Sequence, residues 1–515
     1  MGRKKERYVI VPDDNVFNLN MDTQSFGMFR SMHRHLSDHG GIEADLASAT
    51  ADSSATEPAQ ARPKARSMST DAGKIELIDS IDLNEATLAA MTPEQAHKFA
   101  RAYPGLRVKK ELFLYPLLYR AAGAVKKAAR LSSIGAIKKL IVTCVDATNG
   151  AAIPHADLVI VFNRKKGVGI KDIKTDASGV YSTPLPAALK VVDAVICSPL
   201  AGYWPNHTVD KPIDEGDLSV TVSLTPIASG HKDALDLLLG AADPSDGHGV
   251  KIAVIDAGVS SAAGLNIKNG LNTTGDELPS LWSDNGSGHG THVAGIISRV
   301  APAAELHVYR VFKEGAPGAS EFAIARAVRK AVDEGCDLIN LSLGQDSEPI
   351  AITRESRRAR ALGAVCIAAT GNDYMSPVSY PARTNGVVAV TAAGVEGSFP
   401  PGANTAVNIA RKPAPIATTF FAVFSNIGPE VDFIGPGVGI ISWVSAQARG
   451  VMDGTSMACP AVTGLIARFL SRQQDLLKAE RNQQRSDDIL KAATAAASPI
   501  GFGIDYEGTG IIAVA

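Results

Sequence analysis

What the chain lacks narrows it first. Aromatic residues are only 5% of its 515 residues, too few to suggest the stacking platforms that hold single-stranded nucleic acid. Neither sign of charge dominates, because 51 Lys and Arg face 53 Asp and Glu for a net charge of -2. That balance gives no footprint for nucleic acid or acidic lipid as partner. No run of about 18 apolar residues occurs, so no membrane-spanning helix is expected. An export leader is equally hard to find. Arg3-Lys4-Lys5-Glu6-Arg7 is followed by only Tyr8 to Val11 before Pro12-Asp13-Asp14, too short for the apolar core of a signal peptide. Glu6 also removes the myristoylation pattern that Gly2 would begin. The expectation is a cytoplasmic protein, with secretion by a non-standard route as the alternative. Cysteines are sparse and odd in number: Cys144, Cys197, Cys336, Cys366 and Cys459. Without metal-ligand spacing they read as reduced thiols, a Cys144–Cys197 bridge being the alternative if the protein leaves the cytosol.

What is present divides into five parts. Residues 1–72 read as a polar, disordered tail, because the stretch from Ala44 to Asp71 is rich in Ala, Ser, Thr, Asp and Pro and cannot bury enough surface to order itself. His33, His35 and His39 within it read as an idle or partner-binding segment rather than a metal site. Residues 73–116 form a small β-α-β unit. Lys74 to Ile81 alternates like a half-buried strand. Thr92, Pro93 and Glu94 start a helix that Pro104-Gly105 breaks, and Leu106 to Leu114 reads as the second strand. Residues 117–139 are a basic linker. From Arg107 to Lys139 nine basic residues stand against Glu111 alone, the pattern of a solvated connector that proteases can clip. Residues 140–227 show short strands with turn signals at Asn149-Gly150 and Ser178-Gly179, and a helical period only over Ala187 to Val192. They read as an all-β sandwich.

The fifth part, residues 228–515, alternates continuous apolar strands with helices. Val250 to Ile255, Leu338 to Leu343 and Ala364 to Ala369 are strands of this kind, and Ser320 caps a helix over Glu321 to Glu334 that ends at Gly335. The pattern predicts an α/β fold, a doubly wound parallel sheet covered by helices on both faces. Sites in such sheets lie at the carboxyl ends of the strands.

Residues suited to acyl transfer stand at those ends. Asp256 closes the first strand in Ile255-Asp256-Ala257-Gly258-Val259. His289 lies in Gly288-His289-Gly290-Thr291-His292. Ser456 lies in Gly454-Thr455-Ser456-Met457-Ala458, just before an apolar helix from Val462 to Leu470. Asn372 follows the third strand in Ala369-Thr370-Gly371-Asn372. A serine hydroxyl becomes a nucleophile when an imidazole takes its proton. A carboxylate holds that imidazole in the right tautomer, and the developing oxyanion needs donors already aimed at it. His292 reads as a structural neighbour of the base, and Cys459 as a buried small residue.

The chain order Asp, His, Ser differs from that of α/β-hydrolases and of chymotrypsin-like enzymes. Together with the motifs it resembles the subtilisin family of serine proteases, over roughly Ala228 to Ala515. Further pieces agree: Ile339-Asn340-Leu341-Ser342-Leu343-Gly344, Ser379-Tyr380-Pro381-Ala382, Phe424-Ser425-Asn426-Ile427-Gly428 and Gly435-Pro436-Gly437. The resemblance implies a serine endopeptidase in which Asp256 orients, His289 is general base and then acid, Ser456 attacks and Asn372 stabilises the oxyanion. It implies that Ser342, Leu343 and Gly344 pair with substrate backbone, that Ala369, Thr370 and Gly371 line a specificity pocket, and that Ser379 lies near its base. Ala257 stands where the family more often has Thr or Ser, and Ala461 where it often has His. No cofactor is required, and structural calcium, common in the family, has no clear motif here. The partner is a protein or peptide substrate.

Two looser resemblances complete the reading. Thr175 to Tyr181 is similar to a turn of transthyretin-like modules, which implies a spacer or binding module. Lys74 to Pro116 resembles the inhibitory propeptide of bacterial subtilases, which implies a zymogen inhibited by its own N-terminal unit. Leu112 to Tyr115 would then lie near the groove, with a maturation cut between about Tyr115 and Lys139. A narrow processing protease with one partner and an idle binding scaffold are the alternatives.

Overall fold

A computed structural model describes residues 4–13, 23–37, 66–81, 85–118, 125, 127–128, 138–185, 189–214, 216–262 and 264–513. Most of the Ala44–Asp71 stretch, His39 and most of the basic linker lie outside these residues.

The first unit is larger than its sequence suggests. Strand β1 (Glu6–Pro12) and helix α1 (Thr23–Ser37) both fall in the segment expected to be a disordered tail. They join β2 (Arg66–Thr70), β3 (Gly73–Ser80), β4 (Thr87–Met91), α2 (Pro93–Ala102) and β5 (Leu106–Lys110). The sheet runs β2-β3-β4-β1-β5, so β1 sits inside it with antiparallel partners on both edges. The reason is burial. Tyr8 to Val11 is all buried, Ile10 facing Phe29, Phe99 and Tyr103, and Val9 and Val11 facing the opposite side. Helix α2 starts as expected, with a reciprocal cap: Thr92 Oγ1 accepts the Gln95 N–H and Gln95 Oε1 accepts the Thr92 N–H.

The expected strand from Leu106 to Leu114 is two strands. β5 ends at Lys110, and β6 (Phe113–Pro116) leaves the sheet for the C-terminal unit. Glu111 makes the break. Its side chain is buried and paired with Arg7 at 2.6 Å, so the chain turns there instead of extending.

The short β7 (Lys127–Ala128) lies against the middle unit. That unit contains β8 (Lys139–Asp146), β9 (Asp157–Asn163), β10 (Val168–Lys174), β11 (Val180–Pro184), β12 (Val191–Ser198), β13 (Asn206–Pro212) and β14 (Leu218–Leu224). Two sheets, β13-β12-β9-β10-β7 and β11-β8-β14, enclose a core of Leu140, Val142, Ile160, Val195, Val220 and Leu224. Val191 and Val192 are strand rather than helix; residues 187–188 of the expected helical stretch lie outside the described ones. Cys144 and Cys197, from opposite sheets, are free thiols with Sγ atoms 3.0 Å apart.

The C-terminal unit is a mainly parallel sheet of β15 (Lys251–Asp256), β16 (Ile267–Asn272), β17 (Glu305–Arg310), β19 (Leu338–Leu341), β21 (Val365–Ala369), β22 (Val387–Val395), β23 (Thr419–Phe421) and β24 (Phe433–Pro436), ordered β16-β17-β15-β19-β21-β22-β23 with β24 also on β22. The period-two alternation sorts its side chains. Ile252 and Val254 face helices α3 (His289–Val300) and α6 (Thr455–Arg472), while Ala253 and Ile255 face α4 (Glu321–Asp333) and α5 (Ile350–Ala361). The N-terminal unit rests on this second face, where Val9, Val11 and Leu88 share a core with Phe322, Ile324 and Ile352. Arg354 pairs with Glu85 at 2.8 Å across the contact, and Arg326 pairs with Asp79. No helix among the described residues is long and apolar enough to cross a membrane.

If β1 is structural, emptying its core position will loosen the whole first sheet. Ile10→Ala should cost about 2–5 kcal/mol. Hydrogen exchange of the Leu106–Lys110 amides, measured in a Ser456→Ala background, should speed up accordingly. Unchanged exchange in β5 would contradict the placement of β1.

Candidate active site

Four chain segments bring the expected residues to one end of the parallel sheet. Asp256 is the last residue of β15, and its Oδ1 stands 2.7 Å from His289 Nδ1 and accepts the Ala257 N–H at 2.6 Å. Both side chains are buried. His289 opens α3 immediately after Gly288, whose φ of 71° suits glycine. The turn before it is pinned by Asp284, a residue the motif reading passed over. Asp284 accepts the Gly286 and Gly288 N–H groups and the Thr291 hydroxyl. Burial raises its carboxyl above the usual range, against those bonds. Local sequence offered a signal, since Asp-Asn-Gly-Ser-Gly is a turn.

Ser456 lies within the first turn of α6, not ahead of it. Its N–H donates to Leu117 O at 3.1 Å. Asn372 Nδ2 donates to the same oxygen at 2.5 Å. Asn372 Oδ1 accepts from Thr455 N–H at 3.0 Å and Thr455 Oγ1 at 2.9 Å, which fixes the amide with its N–H side toward Leu117. Two donors therefore converge on one peptide carbonyl. The Ser456 hydroxyl donates to Ser342 O at 2.8 Å. His289 Nε2 is buried with no hydrogen-bond partner, as is Asp256 Oδ2 next to Ala257. The structure thus joins Asp256 to His289 by a direct hydrogen bond, and brings Ser456 and Asn372 together on the Leu117 carbonyl that both donate to. The hydroxyl and the imidazole do not share a hydrogen bond here. His289, Asn372, Leu117 and Leu118 border one cavity of about 470 Å³.

The residues expected to meet substrate backbone do meet backbone, that of the chain itself. β6 lies between β18 (Ala319–Ser320) and β20 (Leu343–Gly344), antiparallel to both. Leu114 is opposite Ala319, Pro116 opposite Leu343 and Tyr115 opposite Gly344, and the Leu117 N–H donates to Ser342 O at 3.3 Å. The chain enters the groove further along than expected. Leu112 to Tyr115 was the expected segment, and the strand continues through Leu117, a residue assigned to the linker. A Cβ on Gly344 would fall 2.8 Å from Leu117 Cδ1, so glycine there makes room for that side chain.

Ala369, Thr370, Gly371 and Ser379 form a connected wall beside Asn372. The Ser379 N–H donates to Thr370 O at 2.8 Å, and a Cβ on Gly371 would meet Ser379 Oγ at 2.6 Å and Asn426 Nδ2 at 2.2 Å. Asn426, part of a motif already noted, binds this wall to Asp373 and Pro377. Behind the nucleophile, Asn340 Nδ2 donates to Ser342 Oγ, and Cys459 and Thr463 donate to Asn340 Oδ1. Cys459 is buried, and burial pushes its thiol up to about 12. His292 Nε2–H donates to Ile440 O, 3.0 Å away, and complete burial lowers the ring to about 3, so it stays neutral beside the site. Among the described residues no cluster of three or more His, Cys, Asp or Glu could hold a metal ion.

Comparison with known proteins follows the same residues. The model of the subtilase family matches residues 247–503. The chain is 35% identical over 230 residues to Subtilisin BL of Lederbergia lenta, covering 43% of this chain and 76% of that protein. It is 32% identical over 266 residues to the thermostable alkaline protease of Halalkalibacterium halodurans, covering 50% of this chain and 65% of that one. The chain belongs to the subtilase family of serine endopeptidases. The match spans just under two thirds of the length of the second relative, and 54% of M-protease of Shouchella clausii at 36% identity. The subtilase match leaves the first two units uncovered.

One carboxyl ties the groove strand to the subtilase unit. Glu321 Oε1 accepts the Leu112 N–H at 3.0 Å and Oε2 accepts the Ala351 N–H at 3.4 Å. Burial outweighs those bonds and raises Glu321 from 4.5 to about 8. A group raised on folding contributes its stability in full below about pH 4.5 and loses it as pH climbs through about 8. Glu321→Gln in a Ser456→Ala background should therefore flatten the decline of the melting temperature between pH 5 and pH 8.5. Parallel curves for the two proteins would contradict the assignment.

Proposed function

We propose that this protein is a self-inhibited serine endopeptidase that cuts its own chain between Leu117 and Leu118. The observation that carries the reading is the Leu117 carbonyl, which takes hydrogen bonds from Ser456 N–H and Asn372 Nδ2 together. That is where the oxyanion of a tetrahedral intermediate needs its donors.

The steps follow from the residues. Ser456 Oγ leaves Ser342 O by rotation about Cα–Cβ and attacks the Leu117 carbonyl carbon. Its proton passes to His289 Nε2, which has no competing partner. Asp256 holds the imidazole through Nδ1–H and stabilises its cation. Collapse breaks the Leu117–Leu118 bond, and His289 returns the proton to the departing Leu118 amine. Water then enters, gives a proton to His289 and attacks the acyl carbon; the ester bond to Ser456 Oγ breaks, His289 returns the proton to that oxygen, and the freed Leu117 carboxylic acid ionises to its carboxylate. A hydroxyl that bonds elsewhere before reaction does not count against the assignment, because such contacts tighten only as reaction begins.

The N-terminal unit would remain as inhibitor after the cut. Its tail is held as an added strand between β18 and β20, and its sheet rests on α4 and α5. The same strand indicates preference. Leu114 is fully buried whereas Phe113 and Tyr115 are 45% and 49% exposed. Aliphatic residues four places before the cut and immediately before it should therefore be favoured in other proteins.

N-terminal sequencing of the purified protein should find a chain beginning at Leu118, and Ser456→Ala should keep the intact N-terminus. Intact wild type with no labelling by a fluorophosphonate probe would overturn the reading. Asn372→Ala should lower kcat by about 10²–10³ in peptide hydrolysis, while the probe still reacts with Ser456.

A further inference from the structure

Beyond the Leu117 carbonyl the groove has a second builder. The loop between β12 and β13 of the sandwich is fixed onto the catalytic unit. Gly202 N–H donates to Arg449 O at 2.8 Å, and Asn404 N–H donates to Pro205 O at 2.8 Å. Trp204, 1% exposed, packs with Ala403, Ile441 and Val451. Leu200 of the same loop reaches the turn before His289. A Cβ on Gly450 would stand 2.2 Å from Leu200 O, so only glycine admits the loop there. A Cβ on Gly288 would stand 3.3 Å from Leu200 Cδ1. Gly288 is the residue before His289. A sandwich side chain therefore borders the turn that presents the imidazole.

A second cavity, of about 110 Å³, opens at this junction. Leu118, the first residue after the reacting carbonyl, forms part of its wall with Val159, Ile173, Pro199 and Leu200 of the sandwich and Met452 of the catalytic unit. A cavity of about 150 Å³ takes a benzene ring, so this one suits a small aliphatic group. Leu200 keeps 39% of its surface exposed, apolar area left open where a substrate side chain would arrive. Asp157 and Asp172 stand at the same cavity and disfavour an acidic one.

We propose that the sandwich is part of the substrate-binding site, supplying through Leu200 the pocket for the residue after the scissile bond and selecting an aliphatic side chain there. The inference rests on the peptidase reading and adds a role for the sandwich to it. The catalytic unit alone provides one wall of this pocket, and a chain lacking the sandwich would cut with little preference at that position.

The test uses the processed enzyme and two peptides that share Leu-Tyr-Pro-Leu before the cut and carry Leu or Gly after it. Wild type should cleave the first with kcat/KM about tenfold higher. Leu200→Asp should bring that ratio to about one, and Leu200→Ala to a value between, because the apolar contact is what sets it. Both peptides are read on one preparation, so a variant folded only in part leaves the ratio unmoved. A ratio the same in wild type and both variants overturns the role of the sandwich and leaves the peptidase reading standing. A protein that cleaves neither peptide and does not react with the probe overturns both.

Discussion

One carbonyl organises the molecule. Leu117 O receives the Ser456 N–H and the Asn372 side-chain N–H, and each donor is aimed by something else. The Ser456 N–H is free because it lies in the first turn of a helix, where no carbonyl four residues back is available. The Asn372 amide is oriented by the Thr455 backbone and hydroxyl. Thr455 thus couples the two donors, and neither can turn without disturbing the other. Such a pair costs nothing to reorganise when charge develops. It exists only because the parallel sheet delivers β21 and α6 to the same end.

Holding that carbonyl in place takes a second surface far from it. The groove strand alone offers a handful of backbone bonds along four residues. The sheet behind it adds an apolar contact of Val9, Val11 and Leu88 on α4 and α5, which is non-directional and scales with area. The ion pairs at the rim, Arg354 with Glu85 and Arg107 with Glu348, set the register more than they add strength. Glu321 is the junction of the two surfaces, one oxygen on Leu112 and the other on the N-terminus of α5.

The sequence was most readable where function is written into short local motifs. Asp256, His289, Asn372 and Ser456 each end or follow a strand or lie in the first turn of a helix, and a glycine stands close to each in sequence. Long-range pairing was not readable. Tyr8 to Val11 looks like a failed leader because its partners, Thr87 to Ala89 and Arg107 to Lys110, lie about 80–100 residues away, and a four-residue apolar run has no period to identify it. Glu111 looked like a stray acid in a basic run. Its burial against Arg7 is a tertiary fact, and it decides that one apparent strand becomes two. The register of the groove strand was hidden for a related reason. Leu112 to Leu118 is apolar almost throughout, and a strand's register slips freely in such a run until specific donors fix it.

The order of the units along the chain has a mechanical consequence. The N-terminal unit precedes the Leu117–Leu118 bond and the two-sheet middle unit follows it, so the proposed cut would part the first from the chain and leave the second on it. Val125, seven residues after Leu118, is buried on Val161, Ala194 and Ile196, and β7 beside it adds to the edge of β10. Seven residues reach at most about 25 Å, so the new end would stay close to the groove, anchored on the sandwich. The sandwich is in turn locked to the catalytic unit through Trp204 and the Gly202–Arg449 bond. The two-sheet middle unit and the catalytic unit therefore form one body beside the Leu117–Leu118 bond. After the proposed cut, the contacts that hold the N-terminal unit to that body among the described residues would be the backbone pairing of β6 and the apolar face on α4 and α5, the arrangement needed for release without unfolding the enzyme.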